Sequence, residues 1–273
     1  MFAARRPGHD EPAKRWPRAT RYARSGGSSV TEPAIAVRKH ASGVRRTTPA
    51  LPPPTLADRL VRAGYVTALL GFVLQTIVHV ANAQLSGGRH RRLDADVEGS
   101  LFSWASSSVT FMAGSLALVL ALIDRRHRVS FAVLALVLAF FSLDDTVVVH
   151  EHLGEKLAEV LGLPSFYQRT FWVLLYLPIL VIGLGLLLEL TRRVPASVRN
   201  ALRVGIAFLA GAVLAELIST LLFAGGTTIG SWPDTIEVAI EEGLELAGWI
   251  LISAALAAAA VRLLPNVLPP AET

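Results

Sequence analysis

Apolar residues run through the chain after Asp58 in six long stretches, separated by short polar breaks: Leu60–Leu85, Leu101–Ile123, Val129–Val149, Thr170–Leu190, Ala201–Phe223 and Thr235–Leu263. Each reaches the roughly 20 residues that a helix needs to cross a bilayer. Hydrocarbon offers the backbone no water, so a spanning stretch of this kind bonds its own peptide groups and is helical. The pattern predicts an all-α, polytopic membrane protein, with six transmembrane helices in one bundle over residues 55–265 and a short tail at 266–273. Residues 1–54 have no sustained apolar period and are rich in Arg, Pro, Ser and Gly, which predicts a disordered basic tail. The Leu51-Pro52-Pro53-Pro54 run reads as a stiff spacer, after which Thr55 or Asp58 caps the first helix.

Charge changes this picture more than overall composition does. Residues 1–62 hold 13 of the 26 Lys and Arg but only four acids, Asp10, Glu11, Glu32 and Asp58. The rest of the chain has 13 basic and 17 acidic residues and is net negative. A basic tail beside a membrane helix calls for anionic lipid headgroups, and no nucleic acid is needed to explain it. Lys and Arg also fall unevenly between alternate loops. The tail, 124–128, 191–203 and Arg262 carry 21, whereas Arg89, Arg91, Arg92, Lys156 and Arg169 are the five on the other side. The positive-inside rule then puts both termini in the cytoplasm, with the chain in a bacterial inner membrane.

This orientation sorts the polar residues of the apolar runs. His79, Asp144, Asp145, His150, Glu151, His152 and Glu216 lie toward the outer ends of the first, third and fifth runs. Glu237, Glu241, Glu242 and Glu245 open the sixth. At about 1.5 Å per residue, Asp144, Glu216 and Glu245 come out at similar depth. On one continuous helix through the third run, Asp144, Glu151 and Glu155 share a face and His150 points away from Asp144. Glu237, Glu241 and Glu245 form a stripe on the sixth with Glu242 beside it, and Gln75, His79 and Asn82 share a face on the first. Glu237 reads as an acid favouring the positive start of its helix, His79 with Asn82 as a packing hydrogen bond, and Glu155, Lys156 and Glu159 as an exposed surface helix.

Charges at membrane depth are costly and mark function. Away from their ends, the six runs contain no Lys or Arg. The deeper acids must therefore hold protons or bind a cation. The chain has no cysteine, which excludes disulfides, thiolate metal sites and a cysteine nucleophile. Oxygen and imidazole ligands remain, and suit a divalent metal such as Zn, Mn or Fe. The candidate ligands are Asp144, Asp145, His150, Glu151, His152, Glu216, Glu241, Glu242, Glu245 and His79. Neither the Glu-x-x-His pair of di-iron bundles nor His-Glu-x-x-His is present.

The segment Leu143-Asp144-Asp145-Thr146-Val147-Val148-Val149-His150-Glu151 resembles a pattern found in uncharacterised bacterial multi-pass membrane proteins. There an Asp-Glu pair is followed, after a four-residue gap, by His-Glu, and the last helix carries Glu-Glu-x-x-Glu and then a Gly. Glu241, Glu242, Glu245 and Gly248 match the second part. Asp145 departs from it, and its shorter side chain reaches less far than the Glu more often found there. The resemblance implies a six-helix layout and a site on these helices, and carries no activity. Intramembrane glutamate proteases place an Arg four residues after a Glu-Glu pair; Leu246 stands there in this chain, and that reading is set aside.

The first functional expectation is a membrane protein that binds a cation, proton or divalent metal, for transport, as a homo-oligomer because six helices are few for a transporter. The alternative is a membrane metalloenzyme acting on a lipid or isoprenoid substrate, in which the metal activates water and a Glu serves as base. A b-type haem protein using His79 with His150 or His152 ranks last, because it leaves the acids unexplained.

Overall fold

A computed structural model describes residues 55–163 and 171–264, apart from the side chain of Glu151. The basic tail at 1–54, Arg169 and the residues beyond 264 lie outside the described residues. The described chain forms seven α-helices and no strand: α1 (Leu56–Ser86), α2 (Leu101–Ile123), α3 (Arg128–Val147), α4 (Val149–Val160), α5 (Trp172–Thr191), α6 (Ala196–Ala224) and α7 (Trp232–Leu263). All but α4 are long and apolar enough to cross a membrane. The six apolar runs become these six helices, and the protein is a multi-pass membrane protein.

Local chemistry fixes the helix ends. Thr55 and Asp58 form a capping box at the start of α1, each side chain accepting the other's backbone N–H at 3.3 Å and so satisfying donors the helix leaves open. Gly87 closes α1 in the left-handed conformation, φ 62°. Ser100 caps α2 by accepting the Ser103 N–H at 3.1 Å. At the start of α7, Asp234 accepts the Gly230 N–H at 2.7 Å, so the acid that stabilises this helix start is Asp234.

The third run does not continue as one helix. It stops at Val147, and Val148 takes φ 58° and ψ 36°. A β-branched residue in this left-handed region is an outlier and costs roughly 1–2 kcal/mol. The kink resets the helical phase, so the single-helix spacing that would put Asp144 and Glu155 on one face does not apply, although both line the cavity described below. α4 then runs on as a separate, largely exposed helix carrying Glu155, Lys156 and Glu159, the surface helix that their spacing predicts.

The bundle is organised around α7. Two thirds of its most apolar stretch is buried, 67%, whereas no other spanning helix exceeds 44%. Small residues allow this. A Cβ on Gly64 of α1 would collide with the Ala254 Cβ, and one on Gly248 would stand 2.8 Å from Leu209 of α6. Without a hydrophobic driving force between helices in lipid, such close backbone approach is a main source of packing energy. α2 lies on α3 through Leu120, Leu134 and Leu138, all fully buried, and is tied to α7 by its Val109 carbonyl, which accepts the Ser253 hydroxyl at 3.0 Å. α5 packs on α3, α4 and α6. The space left between α3, α5, α6 and α7 is a cavity.

Candidate functional site

The cavity has a volume of about 610 Å³ and reaches the helix ends where α3 finishes and α7 begins. Asp144 and Asp145 line it from α3, Glu216 from α6, and Glu241, Glu242 and Glu245 from α7. The three acids expected at one depth, Asp144, Glu216 and Glu245, thus meet in one space. Glu237 also lines it, as do Asp96 and Glu98 from the α1–α2 loop and Glu155 at its edge. Among the described residues no Lys or Arg lines it.

The carboxyls fall into three groups. The first is built on the Val148 kink. Asp144, only 5% exposed, accepts the Tyr176 hydroxyl at 2.8 Å and the His150 N–H at 3.1 Å on Oδ1, and its Oδ2 lies 2.7 Å from His150 Nδ1. Its carboxylate therefore caps the start of α4. His150 does not point away from Asp144, as a continuous helix would require; the left-handed turn swings it back onto the acid. The imidazole is fixed edge-on against Trp172, with ring centroids 4.9 Å apart. Nδ1 is thus the ring nitrogen that faces the carboxylate, and the second nitrogen, Nε2, is turned away from it.

The second group joins α2, α3 and α7. Asp145 accepts the Ser107 hydroxyl. Ser142 donates to the Ser107 carbonyl at 2.8 Å, tying the two helices at this level. Glu245 Oε1 accepts both the Ser106 hydroxyl at 3.0 Å and the Trp249 indole N–H at 3.1 Å. Glu242 lies close enough to Glu245, Asp145 and Glu98 to interact with their charges. Neutral hydroxyls and an indole thus take the place that Arg or Lys would hold in an ordinary buried ion pair.

The third group is carboxyl against carboxyl. Glu241 is within hydrogen-bonding reach of both Glu216 on α6 and Glu237 one turn earlier. Two carboxylates at that distance cannot both remain bare; they share a proton or a cation. Glu237 is 8% exposed, and its Oε1 has no hydrogen-bond partner among the described residues. Its place on the cavity wall goes beyond the helix-start role that its position suggests.

Other predicted residues are not brought here. His79 is buried on α1, where Nδ1 accepts the Ala95 N–H at 3.0 Å and sits 3.2 Å from Asp94, outside the cavity lining. It is a loop anchor, and Asn82 does the same work by holding the backbone of His90 at 3.2 Å through both its amide and its carbonyl. His152 is exposed, with Nδ1 2.6 Å from the Val148 carbonyl. The imidazoles suggested for haem therefore do not face one cavity. Among the described residues, no three His, Asp or Glu side chains stand as a ready metal cage.

Sequence reasoning passed over Asp96, Glu98, Ser106, Ser107, Trp172, Tyr176 and Trp249. A weak signal existed for some of them. The loop reads Asp94-Ala-Asp96-Val-Glu98, three consecutive serines sit at 106–108 inside an apolar run, and Trp249 follows Glu245 by four residues, the spacing of neighbours on a helix face. Tyr176 carried none, since a lone tyrosine near a helix start is ordinary.

No curated protein and no solved structure matches the chain. A family model does, over residues 63–260, nearly the whole of the described bundle. The chain belongs to the family described as domain of unknown function DUF8692.

Proposed function

We propose that this protein binds a cation in its intramembrane carboxylate cavity and serves to move that cation. One observation carries the reading: ten carboxyl side chains line a single cavity, and no Lys or Arg among the described residues lines it. Buried negative charge on this scale must be balanced. Hydroxyls from Ser106 and Ser107 and the Trp249 indole orient individual acids but bring no positive charge. Protons or a bound cation supply it, and exchange between them couples cation entry to proton release. Three of the walls, α3, α6 and α7, come from separate helices, so a small relative shift between them changes how many acids face one another.

The test uses full-length protein purified in detergent and reconstituted into liposomes. Flux of protons driven by a gradient of Mn, Zn or a monovalent cation, lost in both Glu242→Gln and Asp144→Asn, is the expected result. Elemental analysis and an absorption spectrum on the same sample separate the alternatives. A stoichiometric metal that disappears in these variants, without flux, transfers support to the metalloenzyme reading, and a Soret band to haem. No flux, no metal and normal folding of both variants would sink the cation site itself.

A further inference from the structure

The acids occupy only one end of the cavity. Beyond Phe141 on α3 the wall continues through Leu138 and Val137, and beyond Tyr176 on α5 through Leu180, Leu184 and Leu187. From Tyr176 to Leu187 is eleven residues, roughly 16 Å along a helix. A bare or hydrated inorganic ion gains nothing from an apolar wall of that length. The volume, about 610 Å³, lies in the range of about 300–1,000 Å³ that organic ligands occupy.

Aromatic rings stand where the two halves meet. Phe141, Trp172, Tyr176 and Trp249 all line the cavity. Their faces attract a cation, most of all one whose charge is spread over alkyl groups and weakly hydrated. Glu237 adds an independent sign of a missing partner, because it is 8% exposed and its Oε1 is unbonded among the described residues. A buried carboxylate oxygen without a partner costs free energy until a donor or a positive charge arrives. A phosphate-headed amphiphile fits poorly, since the described lining offers it acids and no Lys or Arg.

We infer that the cavity takes a lipophilic onium cation, an ammonium or comparable positive group carried on an apolar body. The positive group sits among the acids of α6 and α7 and the apolar body lies along α3 and α5. This deepens the cation reading above and rests on it, by naming the class of cation. The same chemistry has two sources: a free hydrophobic cation taken from water or bilayer, and the amine headgroup of a membrane lipid.

Equilibrium binding of radiolabelled tetraphenylphosphonium to the detergent-purified full-length protein tests this, with binding of radiolabelled tetraphenylborate, an ion of the same shape and opposite charge, measured in a separate sample. Saturable binding of tetraphenylphosphonium and none of tetraphenylborate is expected. Glu237→Gln and Ala210→Trp should each weaken it by about tenfold, the first by removing charge and the second by filling the apolar half from an exposed position on α6. Absence of saturable tetraphenylphosphonium binding, or equally tight saturable binding of tetraphenylborate on its own, overturns the inference. Proton or metal binding that persists in the absence of tetraphenylphosphonium binding leaves the cation reading standing and removes only its extension. The comparison of the two ions uses the wild-type protein, so misfolding of a variant does not blunt it. Mass spectrometry of the same preparation assigns the source: release of an amine-headed lipid by tetraphenylphosphonium points to the membrane, and binding without such release to a free cation. Either release result upholds the class.

Discussion

The two ends of the bundle treat carboxylates in opposite ways. At the end where α1 begins and α7 finishes, each acid among the described residues meets a base or a hydroxyl near the surface. Asp58 lies 2.8 Å from the Ser197 hydroxyl and 3.5 Å from Arg262, Glu189 takes Arg192 at 3.0 Å and Arg193 at 2.6 Å, and Asp124 takes His127 at 2.9 Å. At the other end, acids from α3, α6 and α7 gather around a cavity with no Lys or Arg among its described lining. The first arrangement is ordinary surface electrostatics, which stabilises little. The second would be unfavourable as a bare structural device, because burial penalises each charge. Its survival in a fold otherwise well capped and well packed is what argues for a ligand.

The largest effect should come from removing the acid on which the second arrangement is built. Asp144→Ala strips partners from the His150 N–H, the His150 ring and the Tyr176 hydroxyl together, and should destabilise the protein by roughly 3 kcal/mol, read as a fall in Tm in detergent. A variant that melts like the wild type would mean that Asp144 does not hold the α3–α4 junction. Next, Glu241→Lys converts the acid end toward the paired kind by placing a cation between Glu216 and Glu237. Cation binding, measured by titration of the purified protein, should weaken by about tenfold or more; unchanged binding would break the link between unpaired charge and ligand.

Val148→Gly is expected to act in the stabilising direction. It relieves a left-handed β-branched residue and adds unfolded-state freedom, for a net gain of about 0.5–1 kcal/mol. A lower Tm would show that the valine side chain contributes more at the kink than its backbone strain costs. At the surface-paired end, Arg193→Ala or Arg262→Ala should move Tm by less than roughly two degrees. Asp124 gives the smallest effect. Burial pushes its carboxyl up, but the hydrogen bonds it shares with His127 outweigh this and hold it below the ordinary value. A lowered folded-state pKa means stability that is present above the ordinary aspartate value of about 3.9 and is lost as pH falls through the lowered one. Asp124→Asn should therefore flatten the acid limb of a Tm-against-pH curve slightly and leave it unchanged near neutrality.

Much of the fold is legible in the sequence because membrane burial writes itself into long one-sided stretches. The limits of α2 coincide with the second apolar run, and the start of α1 falls at the Thr55–Asp58 box. Rise per residue is a property of any α-helix, and Asp144, Glu216 and Glu245, matched by it along three helices, line one cavity. The phase argument fails at Val148. Phase accumulates residue by residue, and a single left-handed residue resets it. Nothing in Thr146-Val147-Val148-Val149 announces a break, because three valines read as ordinary apolar helix. What holds the turn is Asp144 accepting the His150 N–H, together with Tyr176 arriving from α5, and that contact spans 32 positions in the chain.

The sequence alone determined that six stretches are helices long and apolar enough to cross a membrane, that acids stand toward the ends of the third, fifth and sixth, and that these acids have no Lys or Arg beside them in the apolar runs. Length, hydropathy and charge are local properties, and the bilayer converts them directly into structure. Tertiary structure decided which acids face one another, that Glu237 joins them, that His150 belongs to Asp144 while His79 and His152 stand elsewhere, and that the space continues into an apolar slot between α3 and α5. Those facts depend on how far α5 stands from α7 and on one backbone turn, and packing between distant helices sets both.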